Sequence, residues 1–144
     1  NIETIVMDGA GNDILIPATL FDPYGCRTHW WRWNISRSCR GLIEDQYVIG
    51  VNLLNQMDND GVSNVIWLGY YDLPRGNTNL TQALNYGDDL LGYACETATT
   101  ANCEFIDPRG QIPASQVEGD NIHPTPAGSL TLATMIWPAL EPLL

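Results

Sequence analysis

Residues 4–13 read Thr4-Ile5-Val6-Met7-Asp8-Gly9-Ala10-Gly11-Asn12-Asp13, a continuous hydrophobic run that breaks into a glycine-rich turn. A second continuous run, Val65-Ile66-Trp67-Leu68, lies within Asn64–Tyr71, and a third β-type stretch spans Glu104–Asp107. Uninterrupted apolar runs of this length suit strands covered on both faces, as in a parallel sheet, whereas a half-exposed strand would alternate. Between the strands lie helical patterns. From Leu42 to Met57 apolar residues recur mostly at spacings of three and four, and the pattern stops at Asp58-Asn59-Asp60-Gly61. A second helix is expected from Leu80 to about Cys95, and a third runs from an N-cap at Thr125, with Pro126 at the first helical position, to about Trp137. Strands alternating with helices predict an α/β fold with a parallel sheet. Pro17 to Gly41 is expected to be one long irregular connection.

The 144 residues are enough for about one domain with a core. The net charge of −11 arises from 17 acidic residues against six Arg, with no Lys. Such a chain is repelled by phosphate backbones and anionic lipid, which argues against nucleic acid and against electrostatic membrane docking. No apolar run is long enough to span a bilayer. The four Cys form two sequence-local pairs, Cys26 with Cys39 and Cys95 with Cys103, neither with the spacing of a zinc or thioredoxin-type motif. Two disulfides are expected, and with them a secreted or periplasmic location. The chain opens on Asn1 with no initiator Met and is within a strand by Thr4, so it is expected to have been trimmed or cleaved from something longer.

Three groups are candidates for chemistry. Asp120-Asn121-Ile122-His123 places a carboxylate three residues before an imidazole, close enough to fold back, fix its tautomer and stabilise its protonated form. Pro124 holds His123 in an extended backbone. Asn12, in the turn after the first strand, has an amide able to donate to a developing oxyanion beside the crevice that α/β sheets use for ligands. Asp58-Asn59-Asp60-Gly61 fails as a calcium loop, since Gln56 and Trp67 stand where acids are needed, and is read as a helix end. No metal or cofactor is expected. The segment 17–41 holds four of the six Arg and three of the five Trp, namely Trp30, Trp31 and Trp33. It is either a surface that stacks on sugar or nucleobase rings or a disulfide-closed loop whose Trp side chains pack on the domain. His29, inside it, is expected to be a partly exposed structural residue.

A strand ending in G-A-G-N-D-I, two further α/β units and a D-N-I-H block ahead of a C-terminal helix resemble the SGNH hydrolases, the GDSL lipase/esterase superfamily. The resemblance covers nearly the whole chain but only the later part of that family's domain. It implies a flavodoxin-like three-layer α/β/α fold and a secreted ester hydrolase working by Ser-His-Asp acyl transfer. Asn12 would then be an oxyanion donor, with Asp120 and His123 completing the triad. Ala10 stands where the family's block usually has Gly. No G-D-S block is present, and all five Ser lie downstream of Asn12, in the wrong order for the nucleophile. Three parallel strands would also leave a sheet edge unpaired and core uncovered. The fold is therefore expected to be incomplete without an N-terminal, nucleophile-bearing segment, as a second chain or as removed residues. Substrates implied are esters of lipids, acylated sugars or polymers. The competing readings are a non-catalytic carbohydrate- or ligand-binding module using the Arg/Trp loop, and a pseudoenzyme that lost its nucleophile.

Overall fold

A computed structural model describes residues 2–9, 11–74 and 77–144. Three parallel strands, β1 (Thr4–Asp8), β2 (Asn64–Leu68) and β3 (Asn102–Ile106), form one sheet in the order β1-β2-β3. Thr4 pairs with Asn64 and Asn64 with Asn102, so the strands start level. Four helices complete the fold: α1 (Gly11–Leu20), α2 (Arg37–Asn59), α3 (Thr81–Thr97) and α4 (Pro126–Leu140). Side chains alternate across the sheet. Val65 and Trp67, with their neighbours Ile5, Met7, Cys103 and Phe105, pack on Leu54 of α2 and on Leu91 and Ala94 of α3. The opposite face, centred on the buried Ile66, is where α4 lies against β2 and β3. The architecture is the expected α/β/α sandwich with a parallel sheet.

The strand ends explain why the runs read from sequence are slightly offset. Gly69 still donates to Ile106 across the sheet, but the next amide, that of Tyr70, turns instead to the Asp88 carboxylate at 3.0 and 3.1 Å. The ladder therefore stops at Leu68, short of Tyr71. β3 begins earlier than Glu104 because Asn102 donates to the Ser63 carbonyl at the start of β2.

The expected irregular connection from Pro17 to Gly41 is corrected at both ends. Residues 17–20 belong to α1 and residues 37–41 to α2. In α1, Ile14, Leu15 and Ala18 are buried at helical spacing, and that burial outweighs Pro17. The proline removes only the bond to the carbonyl of Asp13, an exposed residue that water can serve. α2 starts at Arg37 because Ser36 caps it, its hydroxyl accepting from the Cys39 amide at 3.0 Å. The helix ends at the expected Asp-Asn-Asp-Gly, where Gly61 takes φ +84°, a value that glycine adopts without Cβ strain. The Asp58 carboxylate there accepts from the amides of Thr100 and Ala101 at 2.7 and 2.9 Å, so it anchors the turn into β3. α4 opens as expected, with the Thr125 hydroxyl accepting from the Gly128 amide at 3.2 Å.

Both expected disulfides are present, Cys26–Cys39 and Cys95–Cys103. Each closes a short loop, and removing either should cost about 2–3 kcal/mol through the added freedom of the unfolded chain. Peptide mapping under non-reducing conditions should recover these two cross-links and no titratable thiol. Four free thiols in the native protein would overturn the pairing.

Candidate functional site

The C-terminal ends of β1 and β2 open into a crevice of about 370 Å³. Asp8 and Gly9 from β1, Asn12 from the first turn of α1, Gly69 and Tyr70 from the exit of β2, and His123 line it. Parallel sheets leave this edge free because the chain departs each strand there into a connection. Gly11 matters to its shape. A Cβ at that position would come within 2.4 Å of the Tyr70 ring, so only glycine lets α1 start flush against the β2 exit. The turn expected over Gly9–Asp13 is thus in part a helix start, with Gly11, Asn12 and Asp13 inside α1. Ala10 lies outside the described residues.

His123 reaches the crevice from a pinched loop. Val117 and Pro124 bridge at its base, Glu118 donates to the His123 carbonyl at 2.7 Å, and Asn121 takes φ +60° at the tip. One oxygen of Asp120 accepts from the amides of Ile122 and His123 at 2.9 and 3.0 Å. The other meets His123 Nδ1 at 2.5 Å. The carboxylate is thereby fixed from its own loop and points at the ring, a geometry that puts the Nδ1 proton on the imidazole and leaves Nε2 to act outward. Hydrogen bonds from His123, and those from the two amides, hold the Asp120 carboxyl down to about 2. Its charge is therefore present throughout the neutral range. Both side chains are open to solvent, at 69% for His123 and 47% for Asp120. The structure thus brings Asp120 and His123 into contact and sets Asn12 on the same crevice. Among the described residues, none of the five Ser lines it.

Two residues, Tyr71 on the crevice wall and Asp88 behind it, were not evident from sequence. The Tyr71 hydroxyl donates to the Ile122 carbonyl and so braces the backbone next to His123. Asp88, only 4% exposed, holds the Tyr70 amide with both oxygens. Burial pushes its carboxyl up to about 7, countered by the Tyr70 amide and by Arg109 and reinforced by the charges of Asp107 and Asp89. The signal for Asp88 was its position. Leu84, Asp88, Leu91 and Cys95 share one buried stripe of α3, where an acid needs a partner.

A folded-state value above the ordinary 3.8 means that the folded protein holds this proton more tightly than the unfolded chain does. The stability Asp88 contributes is therefore complete below about pH 4 and drains as pH rises through 7, with a slope of up to about 1.4 kcal/mol per pH unit. Asp88→Asn, whose carbonyl can still accept from Tyr70, should flatten that part of the melting-temperature profile between about pH 4 and 7. An unchanged slope would show that Asp88 does not titrate there.

No protein-family model matches the chain, and no curated protein matches it. Among solved structures, the chain is similar to LAE5, an alpha/beta hydrolase enzyme from the metagenome of Lake Arreo, Spain, at 18% identity and a TM-score of 0.66. The match covers 99% of this chain and 61% of that one, so the chain spans about three-fifths of that enzyme's length. At this identity the likeness is one of fold, and it agrees with the α/β/α reading.

Proposed function

We propose that the chain is the His- and Asn-bearing part of a secreted or periplasmic ester hydrolase of the SGNH type, working by acyl transfer through a Ser outside residues 1–144. The observation that carries the reading is the 2.5 Å contact between Asp120 and His123 Nδ1 on the crevice that Asn12 also lines. His123 takes the proton of the attacking hydroxyl through Nε2 and returns it to the leaving alcohol. Asp120 orients the ring and stabilises its charge, and Asn12 donates to the tetrahedral oxyanion. No cofactor takes part. The hydrolase fold of the structural neighbour and the two disulfides, which need an oxidising compartment to form, support the assignment. An N-terminal segment bearing the nucleophile would add to the sheet at β1, which pairs with β2 alone among the described residues and leaves Val6 exposed.

A fluorophosphonate probe tests the assignment. Applied to the protein with that segment present, it should label one Ser that maps outside residues 1–144, and p-nitrophenyl acetate hydrolysis should disappear with labelling. Labelling of Ser36, Ser38, Ser63, Ser115 or Ser129, or hydrolysis untouched by the probe, would overturn it.

A further inference from the structure

Residues 21–36 form a braced aromatic hairpin, tied through Asn77–Asn79 to the loop that carries His123. His29 and Arg32 exchange backbone hydrogen bonds at 2.8 and 2.9 Å, which places Trp30 and Trp31 at the two corner positions of a tight hairpin. These indoles are not covered by the domain: Trp30, Trp31 and Trp33 are 80%, 65% and 80% exposed, and Phe21 is 89% exposed. The alternative that the Trp side chains pack on the domain is thus corrected. Nor is the projection loose. Cys26–Cys39 closes it, the Asp22 carboxylate accepts from the amides of Cys26 and Arg27 at 2.6 and 3.2 Å, and Arg32 donates to the Arg27 carbonyl at 2.6 Å. Thr28 donates to the Asn79 carbonyl at 2.9 Å, and Asn77, two residues earlier, donates to the Asp120 and Asn121 carbonyls at 3.4 Å. The hairpin and the His123 loop therefore share one support.

The geometry points to a docking surface for a lipid–water interface, and we infer that this hairpin seats the protein on one. Three features select that occupant. Trp30 and Trp31 meet edge to face at 88°, a wedge rather than a flat platform, and one face of Trp31 is already stacked on His29. A wedge suits insertion among headgroups, whereas a sugar chain stacks on parallel open faces. Phe21, next in sequence to the Asp22 that pairs with Arg32, adds an exposed and purely apolar side chain. Two Arg against one Asp leave residues 21–36 at +1, with Arg37 and Arg40 following in the first turn of α2, within a chain of −11. Over a Debye length of about 8 Å the local charge decides, so the acidity of the whole molecule does not forbid anionic headgroups here. Holding the aromatics out in a braced loop removes most of the ordering cost of binding. The inference deepens the proposed hydrolase by naming its substrate as a lipid ester at an interface, but the docking itself needs neither the nucleophile nor His123.

Co-sedimentation with vesicles tests it. The protein should bind phosphatidylcholine/phosphatidylglycerol vesicles, less well phosphatidylcholine alone, and with a blue shift of Trp emission. Replacing Trp30, Trp31 and Trp33 together by Ser should weaken vesicle binding about tenfold or more, since three large aromatic surfaces then no longer leave water. Replacing them together by Phe should preserve binding within about threefold, which separates loss of the surface from loss of the fold. Absence of vesicle binding by the wild-type protein, equal binding by the Ser variant, or retention on cellulose or chitin instead of vesicles would overturn the inference. Hydrolysis of soluble p-nitrophenyl acetate should be unchanged in the Ser variant. Its absence from the wild-type protein with the nucleophile-bearing segment present would instead strike at the hydrolase reading and leave the docking result standing.

Discussion

His123→Ala should reduce ester turnover by about 10⁴–10⁶-fold in kcat, measured on p-nitrophenyl acetate with the nucleophile-bearing segment present. The size follows from the arrangement of the ring. Nδ1 is committed to Asp120, so Nε2 is the nitrogen left to take a proton in the crevice, and alanine supplies no substitute. The fold should survive, because the side chain is mostly in solvent and the loop is held by main-chain bonds at Glu118, Asn121 and Thr125. Asp120→Asn should cost less, about 10²–10⁴-fold, through a different fault. Its carbonyl can still accept from the two amides, but its NH₂ then faces Nδ1 and drives the ring proton onto Nε2, the wrong tautomer for a base. His29→Ala is the control. That imidazole stacks on Trp31 at 4.6 Å and does not line the crevice, so turnover of a soluble ester should be unchanged. Loss of activity in His29→Ala with His123→Ala tolerated would reverse the assignment.

What could be read from sequence divides along a physical line. Signals carried by neighbouring residues were legible: the continuous runs at Ile5 and Val65, the Thr125-Pro126 helix start, and Cys pairs closed over 13 and 8 residues. The approach of Asp120 to His123 belongs to this class, since three residues of chain suffice to bring them together. Signals that depend on what lies across the fold were not. α1 was hidden because Gly9, Gly11 and Pro17 each punctuate a pattern in which only Ile14, Leu15 and Ala18 declare a buried face. Asp88 finds its donor 18 residues away on the β2 exit, and only its place in a stripe with Leu84 and Leu91 hinted at burial. The Trp cluster was ambiguous for the same reason. Composition places three indoles in a loop, but whether they face the core or the solvent depends on the brace from Asp22, Arg27 and Asn79.

Asn12→Ala should lower kcat by about 10²–10³-fold with little change in KM, the scale of one lost oxyanion donor. Asn12 stands in the first turn of α1, directly after the β1 exit, where a helix has free main-chain N–H groups and the positive end of its dipole. Its side chain is exposed on the crevice and has no hydrogen-bond partner among the described residues, so its amide is free to donate when negative charge develops. Because that charge exists only once the nucleophile has added, the donor strengthens binding of the transition state more than of the ester, and the loss falls on kcat. Asn12→Asp should be worse than alanine, since a carboxylate there opposes the same charge. The stability of both variants should stay close to wild type, as nothing in the core rests on Asn12. Activity of Asn12→Ala within about twofold of wild type would remove Asn12 from the oxyanion site, and the α1 amides would then have to carry that role alone.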